Sequence, residues 1–343
     1  MGDHGGFWRW RWPEMPSRRW PELPSIPLMS DRHEGPSPEG SQTSTTTTTT
    51  TSFTWTTATL STQSTSTAPA TTTTVSSTTP AAVRLDKSQL RVMEHLREAR
   101  KDSAEHYGVT LLCFAVMVPW GNERLLLREA HALGAGIFGC EDAAIYSSEV
   151  IEVAPGVKSV IARDSLKCDY GGEFKTALNN GIFLDIWKKV VSDKVYARRD
   201  WTVKLDPDSV FFAHRLRRRL QPLQKDADKE PVYINNCKLG LHGPFEVLSR
   251  RAVRAWHDGM DRCVSHFRKL CSGDCYWGED MFLDQCLQKV LHIKRVGLYN
   301  MLLEAHCDPP KGWESCHSRE SVAFHPFKNP GNFSACLERA ILG

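Results

Sequence analysis

The chain has 343 residues, of which 43 are basic and 40 acidic, for a formal net charge of +3. A balance so close to neutral excludes the strong overall field of a polyanion binder, so nucleic acid is not an expected partner. Apolar residues concentrate in the C-terminal two-thirds, and only that part has the composition to fold.

Residues 1–40 form a Trp/Pro-rich tail in which Trp12-Pro-Glu-Met-Pro-Ser17 recurs as Trp20-Pro-Glu-Leu-Pro-Ser25. Its prolines prevent a continuous amphipathic helix, and the tail reads as disordered. Met1 to Ser30 does not follow the basic-then-apolar order of a signal peptide. Residues 41–86 are a Thr/Ser-rich, low-complexity linker or stem with too little apolar surface to offset the entropy of ordering. Leu90, Met93 and Leu96 then fall at helical spacing among many charges, which predicts a short solvated helix over 87–107.

The folded domain is expected over 108–343. Thr110 to Pro119 is an apolar run read as a buried strand, and its core, Leu111 to Val118, is far short of the roughly 20 residues that span a bilayer. Asn122 to Leu133 reads as a helix stopped by Gly134 and Gly136, and Ile137 to Tyr146 and Lys158 to Ala162 as strands. Phe174 to Val191 reads as a helix, Trp201 to Phe212 as a strand broken by an acidic turn, and Pro231 to Cys237 and Phe245 to Leu248 as two more strands. Met281 to Leu291 places Leu283, Cys286, Leu287, Val290 and Leu291 on one helical face. The alternation in the first half implies an α/β domain with a parallel sheet and helices on both faces.

Eleven cysteines are many for a reduced cytosolic enzyme. Disulfides and a secretory compartment, the Golgi or ER lumen, are expected, with at least one thiol left over. Asn332-Phe333-Ser334 fits the N-glycosylation pattern. Zinc on Cys271, Cys275, His306, Cys307, Cys316 and His317 lacks finger spacing, and disulfides explain these cysteines at least as well. Arg215, Arg217, Arg218 and Arg219 read as a solvated helix face.

Chemistry concentrates at Lys204-Leu-Asp206-Pro-Asp208, where apolar residues deliver two carboxylates to a strand end. Ligands of open α/β sheets bind at strand ends, and in extended backbone residues i and i+2 project the same way, so Asp206 and Asp208 can share a hard cation. A divalent ion there can neutralise a diphosphate leaving group. Glu279 and Asp280 sit at a helix start, where the dipole favours carboxylates; one of them can serve as general base, with Trp277 as an apolar face for a sugar ring. His325 lies on the strand-like stretch Val322 to Lys328.

The order of apolar strand, Asp-x-Asp turn, Gly278-Glu279-Asp280 helix start and late His325 resembles GT-A-fold glycosyltransferases, most of all the fringe and β-1,3-galactosyltransferase (hexosyltransferase) family. The likeness covers most of 108–343. It implies a GT-A-like, nucleotide-diphospho-sugar transferase fold with a mixed, mainly parallel sheet flanked by helices. It further implies an inverting, Mn²⁺-dependent (or Mg²⁺-dependent) transfer from a UDP-sugar to a hydroxyl of a glycan or glycoprotein acceptor. The metal would be held by Asp206, Asp208 and His325, the proton taken by Asp280, and Lys204, Trp277 and Gly278 would lie at the substrate. Pro207 and Leu205 depart from the family pattern, and its membrane anchor has no counterpart. A catalytically silent carbohydrate- or nucleotide-binding module and a nucleotidyltransferase are the alternative readings.

Overall fold

The computed structural model describes residues 83–343 apart from 173, 174, 272–274 and 276. The chain divides into two units, 1–76 and 77–343, and every described residue belongs to the second. The expected tail, and the linker up to residue 82, lie outside the described residues.

In chain order the strands of the two larger sheets are β1 (Leu111–Val116), β2 (Asp142–Ser147), β3 (Val160–Ile161), β4 (Trp201–Leu205), β5 (Val210–Phe211), β6 (Val232–Asn235), β7 (Phe245–Ser249), β8 (Lys294–Gly297), β9 (Leu302–Leu303) and β10 (Ala323–Phe324). The main sheet runs β8-β6-β7-β4-β1-β2-β3. All its neighbours are parallel except those of β7, which is antiparallel to both β6 and β4. The fold is therefore α/β, with a mixed, mainly parallel sheet flanked by helices.

The period-2 alternation of strands sets the two faces. Leu111, Cys113 and Ala115 of β1 join Trp201, Val203 and Leu205 of β4 in one core, whereas Leu112 and Phe114 enter the other. The second face of β4 consequently carries Thr202 and Lys204, both buried. Helices α3 (Asn180–Ser192), α5 (Arg250–Leu270) and α6 (Glu279–Gln285) cover that face through Ile186, Trp187, Trp256, Phe267 and Phe282. Helices α1 (Lys87–Tyr107), α2 (Glu123–Leu133) and α7 (Pro330–Leu342) share a third cluster with Phe212 and Phe324.

Several elements differ from the sequence expectation. Helix α1 carries a capping box between Asp86 and Gln89, but it is docked rather than solvated, burying Val92 and Leu96 and leaving Leu90 46% exposed. Helix α3 starts at Asn180 because Thr176–Ala177 pairs antiparallel with Tyr170–Gly171. The expected strand from Ile137 opens instead with a 3₁₀ turn, Gly136–Gly139, whose first residue has φ +57°, a conformation open to glycine. The expected strand Lys158–Ala162 is divided, Val157–Lys158 pairing back onto Glu152–Ala154 and Val160–Ile161 forming β3. Helix α6 begins at Glu279, ahead of Met281, and continues as a π-helical turn over Cys286–Val290. Helices α5 and α7 have no counterpart among the expected elements.

The arginine run is a correction of a different kind. On helix α4 (Ala213–Leu220) Arg215 and Arg217 are buried, Arg215 donating to the carbonyls of Ser318, Ser321 and Ala340, and Arg217 pairing with Glu141 at 2.7 Å. A guanidinium fork can satisfy several oxygens at once while its aliphatic stem packs, so charge alone does not put arginine outside. Only Arg218 and Arg219, beside Glu320, face solvent as expected.

Ten cysteines pair as Cys113–Cys140, Cys237–Cys307, Cys263–Cys286, Cys271–Cys275 and Cys316–Cys336, and Cys168 is free. Five disulfides fit a secreted or lumenal protein. Among the described residues no helix is long and apolar enough to cross a membrane.

Candidate functional site

Strand β4 ends at Leu205, and the chain turns at once. Ser209 donates its backbone N–H to the Asp206 carbonyl at 3.0 Å, closing Asp-Pro-Asp-Ser into a turn that Pro207 pre-shapes. Asp206 N–H and Ser209 Oγ both donate to the Pro244 carbonyl at 3.1 Å, which fixes the turn to the segment leading into β7. The two carboxylates therefore converge through a turn, not through the strand alternation expected from sequence.

His325 reaches this turn through a second, three-stranded sheet, β9-β10-β5. Phe324 pairs with Val210 across β10 and β5, and Phe327 N–H donates to the Asp208 carbonyl at 2.8 Å, so the residue after β10 lands beside the residues before β5. One ligand atom each from Asp206, Asp208 and His325 lies within 4.8 Å of the others. His325 Nε2 is 3.4 Å from Asp208 Oδ1, and Lys328 Nζ is 3.0 Å from Asp208 Oδ2. Burial pushes the Asp208 carboxyl up, but the hydrogen bonds and charge interactions with His325 and Lys328 outweigh it and hold it well below the usual carboxylate range.

Lys204, expected at the substrate, lies between the acidic turn and the start of α6. It is fully buried, with its ammonium 2.7 Å from Asp206 Oδ1, 3.1 Å from Glu279 Oε1 and 2.6 Å from the Gly243 carbonyl. Burial lowers its pKa, but Asp206, Glu279 and Glu246 outweigh that and raise it well above the ordinary value. The lysine thus ties the acidic turn to the start of α6. Glu246 faces Lys204 across the β7–β4 pair, and burial raises its carboxyl far above the usual range.

At α6, Glu279 is engaged by Lys204, and Asp280 turns the other way. Asp280 Oδ2 accepts the Gly243 N–H at 3.0 Å and lies 3.6 Å from His242 Nδ1. Burial and the neighbouring Glu279 raise the Asp280 pKa. Gly278 precedes the helix as its cap residue in extended conformation. Trp277 packs edge to face on Phe267, centroids 5.2 Å apart, so part of its ring belongs to the core.

Several residues of this region carry no sequence signal. Glu304 follows β9 and accepts from His306 Nδ1 at 2.8 Å and from His242 Nε2. Burial would raise its pKa, but the two imidazoles hold it at about 2. Glu123, first residue of α2, accepts the Val118 N–H at 2.6 Å and is pushed up to about 7, chiefly by burial and further by Asp206 and Asp208. A cavity of about 550 Å³ lined in part by His95, Asp102, His214 and Arg319 contains none of the residues above.

Two consequences can be measured on these residues. A Cβ on Gly243 would stand 3.0 Å from Glu279 Oε1 and 3.3 Å from Asp280 Oδ2. Gly243→Ala should therefore press on both carboxylates, lowering the melting temperature by the equivalent of about 1–3 kcal/mol, as thermal unfolding would report. Glu123, folded, binds a proton between its ordinary 4.5 and about 7 that the unfolded chain has released. In that window the folded state holds more protons, so this group's contribution to stability falls as pH rises. Glu123→Gln should be relatively more stable at pH 7 than at pH 5, by on the order of 2 kcal/mol after allowance for partial solvent access, measured by urea midpoints.

The fold and site together define an α/β protein with an acidic turn, an imidazole and a carboxylate-bearing helix start at the carboxyl ends of its strands. No protein-family model matches the chain, and no curated protein matches its sequence. Among solved structures it is similar to a glycosyltransferase involved in the glycosylation of the major capsid of PBCV-1, at 9% identity and a TM-score of 0.37, over 65% of this chain and 98% of that one. A likeness at that level carries no argument about activity, and the functional reading rests on the site.

Proposed function

We propose that the chain is a metal-dependent glycosyltransferase that moves a hexose or N-acetylhexosamine from a UDP-sugar to a hydroxyl of a glycan or protein, with inversion. The observation that carries this is the meeting of Asp206, Asp208 and His325 beyond β4, within 4.8 Å of one another, while Lys204 ties Asp206 to the helix start that presents Asp280. Two carboxylate oxygens and one imidazole nitrogen fit Mn²⁺ better than Mg²⁺, which prefers oxygen throughout. Such an ion, when bound, neutralises charge developing on a departing nucleoside diphosphate.

The protein side chains supply the rest. Lys328 reaches Asp208 with a side chain 80% exposed, so its ammonium can turn to a phosphate oxygen when a donor arrives. Asp280 is the general base for the acceptor hydroxyl, because Glu279 is held by Lys204 and because a carboxyl raised toward working pH accepts a proton more readily. A base acting from the face opposite the leaving group gives inversion.

The test uses the full chain with Mn²⁺ and each UDP-sugar in turn. One donor should raise the melting temperature by mass action and release UDP when an acceptor is added. Asp280→Asn should keep the donor-induced rise and lose transfer. A donor-induced rise without UDP release from the unaltered chain would favour the silent binding module, and no response to any donor refutes the proposal.

A further inference from the structure

His242, Glu304 and His306 each offer one ligand atom within 4.8 Å of the other two, beside the acidic turn but sharing no residue with it. Their placement is fixed from three directions. His242 sits in the loop between β6 and β7, where the buried Asn236 side chain accepts the His242 N–H at 2.8 Å and donates to the His242 carbonyl at 2.9 Å. Glu304 directly follows β9, which pairs with β10. His306 precedes Cys307, whose disulfide to Cys237 fastens this segment to the end of β6.

We propose that these three residues form a second metal site, selective for a borderline divalent ion of the zinc type. Two imidazoles and one carboxylate are a ligand set of zinc, and three protein ligands leave a coordination position for water or a substrate oxygen. The neighbouring acidic turn, with two carboxylates to one imidazole, is the harder of the two sites, so the pair divides ions by softness. His242 turns Nε2 to the ligand cluster and Nδ1 toward the Asp280 carboxylate, 3.6 Å away and so beyond direct hydrogen-bond distance but on the side from which an outer carboxylate orients a metal-bound ring. Without an ion, Glu304 accepts hydrogen bonds from both imidazoles, and binding replaces those protons by the metal. Glu304 Oε1 also stands 4.0 Å from His325 Nδ1, so an ion in this site is one side chain away from the acidic turn. The site stands whether or not the chain transfers sugar.

The test is metal retention, read independently of activity. The full chain, free of any polyhistidine tag and with Cys168→Ser to remove the free thiol, is stripped with chelator, dialysed against Zn²⁺ and then against metal-free buffer, and analysed by mass spectrometry of the metal. About one zinc per chain should remain, and should remain also in the Asp206→Asn/Asp208→Asn variant. His242→Gln and His306→Gln should each lose it. Zn²⁺ should raise the melting temperature of the Asp206→Asn/Asp208→Asn variant and leave that of His306→Gln unchanged, with metal-free melting curves showing that each variant folds. Zinc that is absent from the parent chain, or that survives both histidine substitutions, overturns the proposal. So does zinc that disappears with the two aspartates.

Discussion

Under the proposed function, Asp208→Asn should slow sugar transfer by about two to three orders of magnitude while leaving the protein folded. Asparagine keeps the shape of the turn, including the backbone bond from Phe327 to the carbonyl of residue 208, and removes only the charge. In the proposed site that charge is one of two anionic ligands to the ion that stabilises departing UDP, and deleting one such interaction lowers rates by about 10²–10³, or roughly 3–4 kcal/mol of barrier. The folded state loses the pairing of Asp208 with His325 and Lys328, worth less because Lys328 is mostly exposed. Initial rates across Mn²⁺ concentration separate the possibilities. A variant that recovers with excess Mn²⁺ has lost affinity alone, and one that stays inactive has lost the transition-state interaction. Unchanged transfer would remove Asp208 from the chemistry.

What the sequence shows of this site follows from how far apart its members lie. Asp206, Asp208, Glu279 and Asp280 are legible because each belongs to a short local pattern, a strand end or a helix start. His325 is an ordinary strand histidine until β10 is known to pair with β5, a contact between distant segments that no local periodicity encodes. His242, Glu304, Glu123 and Lys328 have no local signature at all. Their roles arise from the loop clamped by Asn236, the disulfide at Cys307, the bond of Glu123 to the Val118 N–H and the reach of Lys328 to Asp208.

The elements divide on the same ground. Strand β1 and helix α2 are readable because their apolar patterns are dense. Helix α5 buries Val253, Trp256, Met260, Cys263 and Phe267 on one side, but arginines and aspartates between them dilute the pattern. Arg215 and Arg217 mislead for a related reason. A charged residue reads as solvated unless its partners are known, and the partners here, at Ser321, Ala340 and Glu141, come from remote segments.

The largest loss of stability should come from Lys204→Met. Methionine resembles the lysine stem in volume, so the change removes a buried charge with little change of packing. It leaves Asp206, Glu279, Asp280 and Glu246 near one another without the cation that offsets them. Breaking a buried ion pair from one side typically costs about 3–5 kcal/mol, which for a domain of this size is a melting-point drop of roughly 10 °C. Because part of the cost is mutual repulsion, beyond the lost bonds to Asp206, Glu279 and the Gly243 carbonyl, Glu279→Gln in the same chain should recover part of it, and the double-mutant cycle should show coupling above about 1 kcal/mol. Under the proposed function, activity in the folded fraction should respond as well. Lys204 helps to lower the Asp280 pKa, so its removal raises that pKa, and the acid limb of the pH–rate profile should move to higher pH. A shift of the limb in Lys204→Met, with none in a variant equally destabilised elsewhere, would assign the profile to Asp280. An unmoved limb would mean that another group takes the acceptor's proton.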